Sequence, residues 1–321
     1  MAARTAVLVI GGPTASGKSG LALALAERAG GTVINADSMQ VYDLLRVVTA
    51  RPDAAEMARA PHRLYGVVSP AVRMSAAAWR DLALAEIRAA RDAGRLPIVV
   101  GGTGLYLRTL MHGIADIPDI PAEVRAAALA LQQQVGSPGL HALLAGRDPE
   151  TAARLAPGDT QRLVRAWEVL EATGRSIRQW QAQAAADRPA DLAFLTVVAD
   201  PPRDRLYARC DRRFLQMLEQ GALEEVRQLD RLGLDPELPA MKALGVPELR
   251  GLLQGRLDLA TATATAQQMT RNYAKRQVTW FRHQLVAAHR VDPADLSASA
   301  GLEKFYDQIM AGMTQIISSE D

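Results

Sequence analysis

The stretch "VLVIGGPTASGKSG" (7–20) decides how the rest of the chain is read. A short apolar run ends at a glycine pair. Gly12-Pro13-Thr14-Ala15-Ser16-Gly17-Lys18-Ser19 then satisfies the phosphate-loop pattern G-x-x-x-x-G-K-[ST]. The loop sits between a predicted strand, "AVLVI" (6–10), and a predicted helix over 18–28, the context in which the pattern has mechanical meaning. Successive backbone N–H groups turn inward in such a loop, and the helix N-terminus adds its partial positive charge. Lys18 is expected to reach a terminal phosphate, and the Ser19 hydroxyl to bind Mg²⁺. A chance match in a chain of this length is on the order of one in a hundred. A diphosphate or a triphosphate is therefore expected in the loop. The pattern alone also carries a nucleotide-binding, ATP-binding reading and does not choose between the two.

Working outward, "GTVINA" (31–36), "LYGVV" (64–68), "PIVVGG" (97–102) and "LAFLTVVA" (192–199) read as further strands, with a helix over 75–92. Near-continuous apolar strands alternating with helices predict an α/β fold: a P-loop NTPase-like parallel sheet flanked by helices. The pattern breaks at "GIADIPDIP" (113–121), helices dominate 122–183, and "AAADRPAD" (184–191) reads as an exit linker. The expected organisation is a catalytic core of 1–116 and 192–321 with a small helical insertion, 117–191. C-terminal helices are expected over 203–220, 222–232, 261–286 and 301–318.

The composition of the 321 residues, 49% hydrophobic and 22% charged with net charge +2, is that of a globular chain. So small a charge does not by itself signal nucleic acid. Cys210 is the single cysteine, which excludes an intrachain disulfide and a cysteine zinc site. No run approaches the roughly 18 apolar residues of a membrane span, and no targeting segment is evident. A soluble cytoplasmic protein without membrane or obligate protein partner, a monomer, is expected.

In an open parallel sheet, ligands bind at the carboxyl ends of the strands. Asp37 in "NADSMQVY" (35–42) follows the second strand and reads equally as a general base, a metal ligand or, with Ser38, a helix cap. "GGTGLY" (101–106) brings the Thr103 hydroxyl to the same end of the sheet or is simply a tight turn. Asp200, ending "TVVAD" before two prolines, reads as a turn residue rather than the Mg²⁺-binding acid of a hydrolase. In 159–174, Leu163, Val164, Trp167 and Leu170 share one helical face, and Gln161 and Arg165 the opposite one. Arg205, Arg209 and Arg213 recur at spacing four, with Asp204 and Asp211 as alternative ion-pair partners. No acidic residue lies between Leu259 and Val291, where Arg271, Lys275, Arg276, Arg282 and Arg290 interleave with Tyr273, Trp280 and Phe281. That stretch suits an RNA backbone with stacking, although Trp280 and Phe281 also read as core.

"GPTASGKS", "DSMQVY", "GGTGLY", "QRLVRAWEV" and "YAKRQVTWFR", in that order, resemble the tRNA dimethylallyltransferase (tRNA isopentenyltransferase, IPP transferase) family in its bacterial form. The resemblance runs over about 7–282. It implies transfer of a dimethylallyl group from dimethylallyl diphosphate to the exocyclic amine of the adenine 3′-adjacent to the anticodon in tRNA, releasing diphosphate. By the same resemblance, Asp37 accepts the amine proton, Thr14 and Thr103 hold diphosphate or amine, and Gly12 to Ser19 with Arg209 and Arg213 bind diphosphate. Asp37, Ser38, Met39, Gln40, Thr103 and Arg125 contact the tRNA, as do Gln161, Arg162, Leu163, Val164 and Arg165 of "QRLVR". The acid-free basic stretch adds Arg271, Lys275, Arg276 and Arg282 to the expected tRNA contacts. Ser19 stands where many relatives have threonine, and Gly245-Val246 where they tend to have Gly-Tyr. Two other classes remain open to the residues: a P-loop kinase with Asp37 as base, and an RNA-binding protein switched by nucleotide.

Overall fold

A computed structural model describes residues 4–182, 187–296 and 299–318. Six strands form one parallel sheet: β1 (Thr5–Gly11), β2 (Thr32–Asn35), β3 (His62–Arg63), β4 (Pro97–Gly101), β5 (Leu192–Ala199) and β6 (His289–Val291). Their order across the sheet is β3-β2-β4-β1-β5-β6, and every pairing is parallel. The helices are α1 (Lys18–Ala29), α2 (Ala54–Arg59), α3 (Ala76–Asp92), α4 (Gly104–His112), α5 (Ala122–Arg147), α6 (Pro149–Ala152) and α7 (Thr160–Thr173). They continue with α8 (Ile177–Gln181), α9 (Arg203–Glu219), α10 (Ala222–Arg231), α11 (Val246–Leu253), α12 (Leu259–Gln284) and α13 (Ser299–Ser318).

β1 explains why the sheet needs two helical layers. Its side chains alternate, so Val7 and Val9 enter one core and Leu8 and Ile10 the other, all fully buried. Leu8 and Ile10 meet α1 and, from α13, Phe305, Ile309 and Met313. Val7 and Val9 belong to the larger core with Trp79, Leu107, Leu110 and Phe281 from α3, α4 and α12. The central strands thus bury both faces, and their carboxyl ends open toward the loops.

Two expectations about strands are corrected. The third strand is His62–Arg63 and not 64–68, because Leu64 and Gly66 take left-handed φ values of 63° and 61° that no strand can continue through. Only an isolated bridge between Tyr42 and Val68 marks the predicted segment. β6, three residues long, carried too short a pattern to be anticipated.

The chain divides into two compact units, 1–111 with 190–321, and 112–189. In the second, α5 breaks at Gly136, whose backbone (φ 70°, ψ 170°) is not helical. Ala128, Leu140, Leu144, Leu163, Val164 and Leu170 form this unit's own core. The predicted exit linker, 184–191, and the end of the predicted helical stretch at 183 lie partly outside the described residues. Among the described residues no helix is long and apolar enough to cross a membrane.

Candidate active site

The phosphate loop emerges from β1 and closes onto α1 through Gly17, whose φ of 90° favours a glycine. Ala15 is held in the same left-handed region, at φ 61°. The Ser16 hydroxyl is buried and has no hydrogen-bond partner among the described residues. A buried hydroxyl left unpaired is costly, and an anion bound in the loop that Ser16 helps to line would offer it an acceptor.

A cavity of about 490 Å³ opens from the loop, lined by 14–20 together with Asp37, Gln40 and Arg213. Lys18 Nζ donates to the Pro13 carbonyl at 3.1 Å. Burial lowers the Lys18 pKa to about 8, with Asp37 pulling it up and Arg213 pushing it down. Arg213, from α9, donates to Thr14 Oγ1 at 3.5 Å, and its own pKa is lowered by burial. Lys18 and Arg213 thus make the loop side of the cavity positive and face Asp37, while Asp53 and Glu56 line it elsewhere.

Asp37 follows β2 in a tight turn. Its Oδ1 accepts the Met39 N–H (3.0 Å), and its own N–H donates to Asn35 Oδ1 (2.9 Å). The turn is tied to the end of β4, where Thr103 Oγ1 accepts the Ser38 N–H (2.9 Å) and donates to Ser38 Oγ (3.2 Å). Thr103 also engages the Tyr273 hydroxyl, whose pKa is raised by burial and further by Asp37. Burial and Asp37 likewise raise Tyr65, and Tyr106 as well. The sequence-predicted cluster of Thr14, Lys18, Ser19, Asp37, Ser38 and Thr103 is therefore brought together at one end of the sheet.

Other predicted residues fall differently. Arg209 backs the loop from behind, with Nη1 3.4 Å from the Ser16 carbonyl and 3.9 Å from Asp292, and does not line this cavity. Arg205 pairs with Asp292 (2.8 Å), and Asp200 lies 3.7 Å from Arg290, which donates to the α12 carbonyl of Phe281. Gln40 lines the cavity, but its amide nitrogen is committed to the carbonyls of Thr49 and Ala50 (2.9 Å each). Met39 is partly buried against the core.

On α12, Lys275, Arg276 and Arg282 are exposed, whereas Arg271 is ion-paired with Asp211. In the second unit, Gln161 and Arg162 are exposed, and Arg162 lies 3.4 Å from Asp159. Arg165 and Arg125 converge on Glu168, at 2.7 Å and 3.8 Å. Leu163 and Val164 are 0% and 7% exposed in that unit's core. Their expected contact with RNA is corrected for the side chains: burial has used those faces for packing.

Three residues escaped the sequence reading. The Glu225 carboxylate accepts three successive N–H groups, from Arg46, Val47 and Val48 (2.6–2.7 Å), and so pins the loop that forms the far wall of the cavity. Asp292 anchors Arg205 and Arg209 of α9. Gln277 joins two strand ends. The only signal for any of them was Gln277 lying inside "YAKRQVTWFR".

As to metal, the described residues hold no cluster of three or more His, Cys, Asp or Glu able to form a cage. Ser19 on the cavity wall, beside the anion cradle, fits a cation that takes most of its oxygens from phosphate and water.

The IPP transferase family model matches residues 40–284. The chain is 67% identical over 305 residues to a tRNA dimethylallyltransferase of Rhodospirillum centenum, covering 95% of this chain and 97% of that protein. Among solved structures it is similar to the full-length tRNA isopentenylpyrophosphate transferase of Bacillus halodurans, with TM-score 0.69, 32% identity and 97% of both chains covered. It is also similar to a eukaryotic dimethylallyltransferase described acting on tRNA, with TM-score 0.78 and 26% identity over 96% of this chain and 80% of that one. The chain belongs to the IPP transferase family.

Proposed function

We propose that this protein transfers the dimethylallyl group of dimethylallyl diphosphate to the exocyclic amine (N6) of the adenine 3′-adjacent to the anticodon, position 37 of the tRNA, releasing diphosphate. The observation that carries the reading is the meeting, in a single cavity, of a cationic phosphate cradle and the Asp37 carboxylate that acts on both Lys18 and Arg213, in a chain so similar to tRNA dimethylallyltransferases. The residue roles below are part of the proposal.

In this reaction the allylic C–O bond breaks, its electron pair leaves with diphosphate, and a new C–N bond forms to the adenine amine. Charge therefore grows on the leaving oxygens. The loop N–H groups other than those of Thr14 and Ser16, which are bonded to Gln277 and Pro13, are fixed donors for that charge together with Lys18, Arg213 and the Ser16 hydroxyl, and they favour the transition state over the ground state. Mg²⁺ bound at Ser19 and the phosphates would neutralise part of the same charge. The amine becomes acidic as it is alkylated, and Asp37 takes its proton. The adenine must leave its loop stack to reach the cavity. The exposed basic residues of α12 and of the second unit suit the RNA backbone. A monomer acting in the cytoplasm on free tRNA is the simplest setting for this chemistry.

The test is incubation of purified protein with unmodified tRNA, dimethylallyl diphosphate and Mg²⁺, followed by nucleoside mass spectrometry. Dimethylallyl-adenosine formed without ATP is expected. Intact tRNA binding with no alkylated base would overturn the proposal, and phosphate transfer from ATP would favour the kinase reading.

A further inference from the structure

Gln277 is 5% exposed and bonds to two different strand ends. Its Oε1 accepts the Thr14 N–H at 2.8 Å, and its Nε2 donates to the Gly102 carbonyl at 2.8 Å. Thr14 belongs to the phosphate loop after β1. Gly102 directly precedes Thr103, whose hydroxyl holds the segment carrying Asp37. One side-chain amide therefore spans the leaving-group side and the acceptor side of the cavity.

The rest of α12 is seated to suit this bridge. Phe281, Gln277 and Trp280, at i+4, i and i+3, form one stripe against Gly11, Gly102 and Gly104 respectively. A Cβ at those glycines would lie 2.4, 2.3 and 2.4 Å from the respective side chains, so the helix packs flush on the ends of β1 and β4 and on the start of α4. Within the buried stripe, Ala274 and Phe281 are apolar and Gln277 alone is polar. A methionine would fill the same space but leave the Thr14 N–H and Gly102 carbonyl unpaired. Packing therefore does not account for an amide at this place.

We infer that Gln277 is a positioning residue: it sets the separation between the phosphate loop and the Thr103–Asp37 side, and so governs turnover without touching the reacting atoms. The inference rests on the prenyl-transfer reading for its kinetic consequence, and its structural half can be read without it. Misplacement of reacting groups by about 1 Å costs on the order of a hundredfold in rate.

The experiment compares wild type with Gln277→Met and Gln277→Glu in transfer kinetics and in amide hydrogen exchange at Thr14. For Gln277→Met the expected result is a fall in kcat of roughly 10- to 100-fold. The tRNA KM should stay within about threefold, and Thr14 exchange should be faster while the protein remains folded. Gln277→Glu keeps an acceptor for Thr14 but can donate to Gly102 only when its carboxyl is protonated. Its activity relative to wild type should therefore recover as pH falls, which loss of packing would not produce. The inference is overturned if folded Gln277→Met keeps kcat within about threefold, if its loss lies wholly in tRNA KM, or if Gln277→Glu shows no relative recovery. Should the wild type itself form no alkylated adenine, the function reading fails instead. Thr14 exchange then decides the positioning claim: faster exchange in Gln277→Met upholds it, unchanged exchange refutes it.

Discussion

Lys18 gives the sharpest quantitative handle on the cradle. Its ammonium sits in the cavity with a pKa lowered to about 8, chiefly by burial. In the free enzyme, about nine-tenths of it is charged at pH 7 and about one-tenth at pH 9, so the competent fraction falls roughly tenfold over that interval. Because kcat/KM reports the free enzyme, kcat/KM for dimethylallyl diphosphate should show an alkaline limb centred near pH 8. Bound diphosphate restores negative charge beside the ammonium and raises its pKa, so the limb in kcat should lie at higher pH. Replacing Lys18 by methionine should lower the rate at pH 7 by about 10²- to 10³-fold, the usual cost of one transition-state donor, and leave the remainder flat to pH 9. Lys18→Arg, charged at every accessible pH, should lose the limb while retaining more activity. Initial rates at subsaturating dimethylallyl diphosphate across pH 7–9.5 measure all three. A wild-type profile flat through that range, or a limb near pH 8 that survives Lys18→Met, would show that Lys18 is not the group whose charge limits the reaction.

The same group makes a stability prediction. Its folded pKa lies below the unfolded value, so between about pH 8 and 10.5 the unfolded chain holds a proton the folded one lacks. The penalty is fully present below pH 8 and is relieved as pH rises. Denaturant titrations from pH 8 to 9.5 should show wild type gaining stability relative to Lys18→Met. Phe281, 1% exposed between sheet and α12, should cost about 3–5 kcal/mol when cut to alanine, seen as a lower midpoint in the same titrations. Glu168→Gln should cost little stability, because Arg125 and Arg165 are 57% and 42% exposed and can return to water while a 1%-exposed carboxylate loses its charge. It should instead raise the tRNA KM and leave the diphosphate KM unchanged, measured by steady-state kinetics at fixed salt.

Much of this architecture is legible in the chain because it is local. The phosphate loop needs a contiguous pattern between a strand and a helix, and Asp37 and Thr103 follow strand ends that apolar runs announce. Leu64 and Gly66 defeated the third strand because backbone sign is not written in apolarity. Gln277, Glu225 and Asp292 act on partners far away in sequence: Thr14 lies 263 residues from Gln277, and Val47 178 from Glu225. A single polar residue on an amphipathic helix carries no mark of which backbone it will meet. Leu163 and Val164 show the converse limit. The apolar face that placed them in a core was as readable as the motif that suggested RNA, and packing won.

In the proposed mechanism Asp37 takes a proton from an adenine amine while the phosphate loop holds the leaving diphosphate. Single-turnover transfer by Asp37→Asn, alongside its tRNA dissociation constant, tests it most directly. The transfer rate is expected to fall by about 10²- to 10⁴-fold, with tRNA affinity within about threefold of wild type. Transfer within threefold of wild type, or a loss shared equally by rate and affinity, would contradict it.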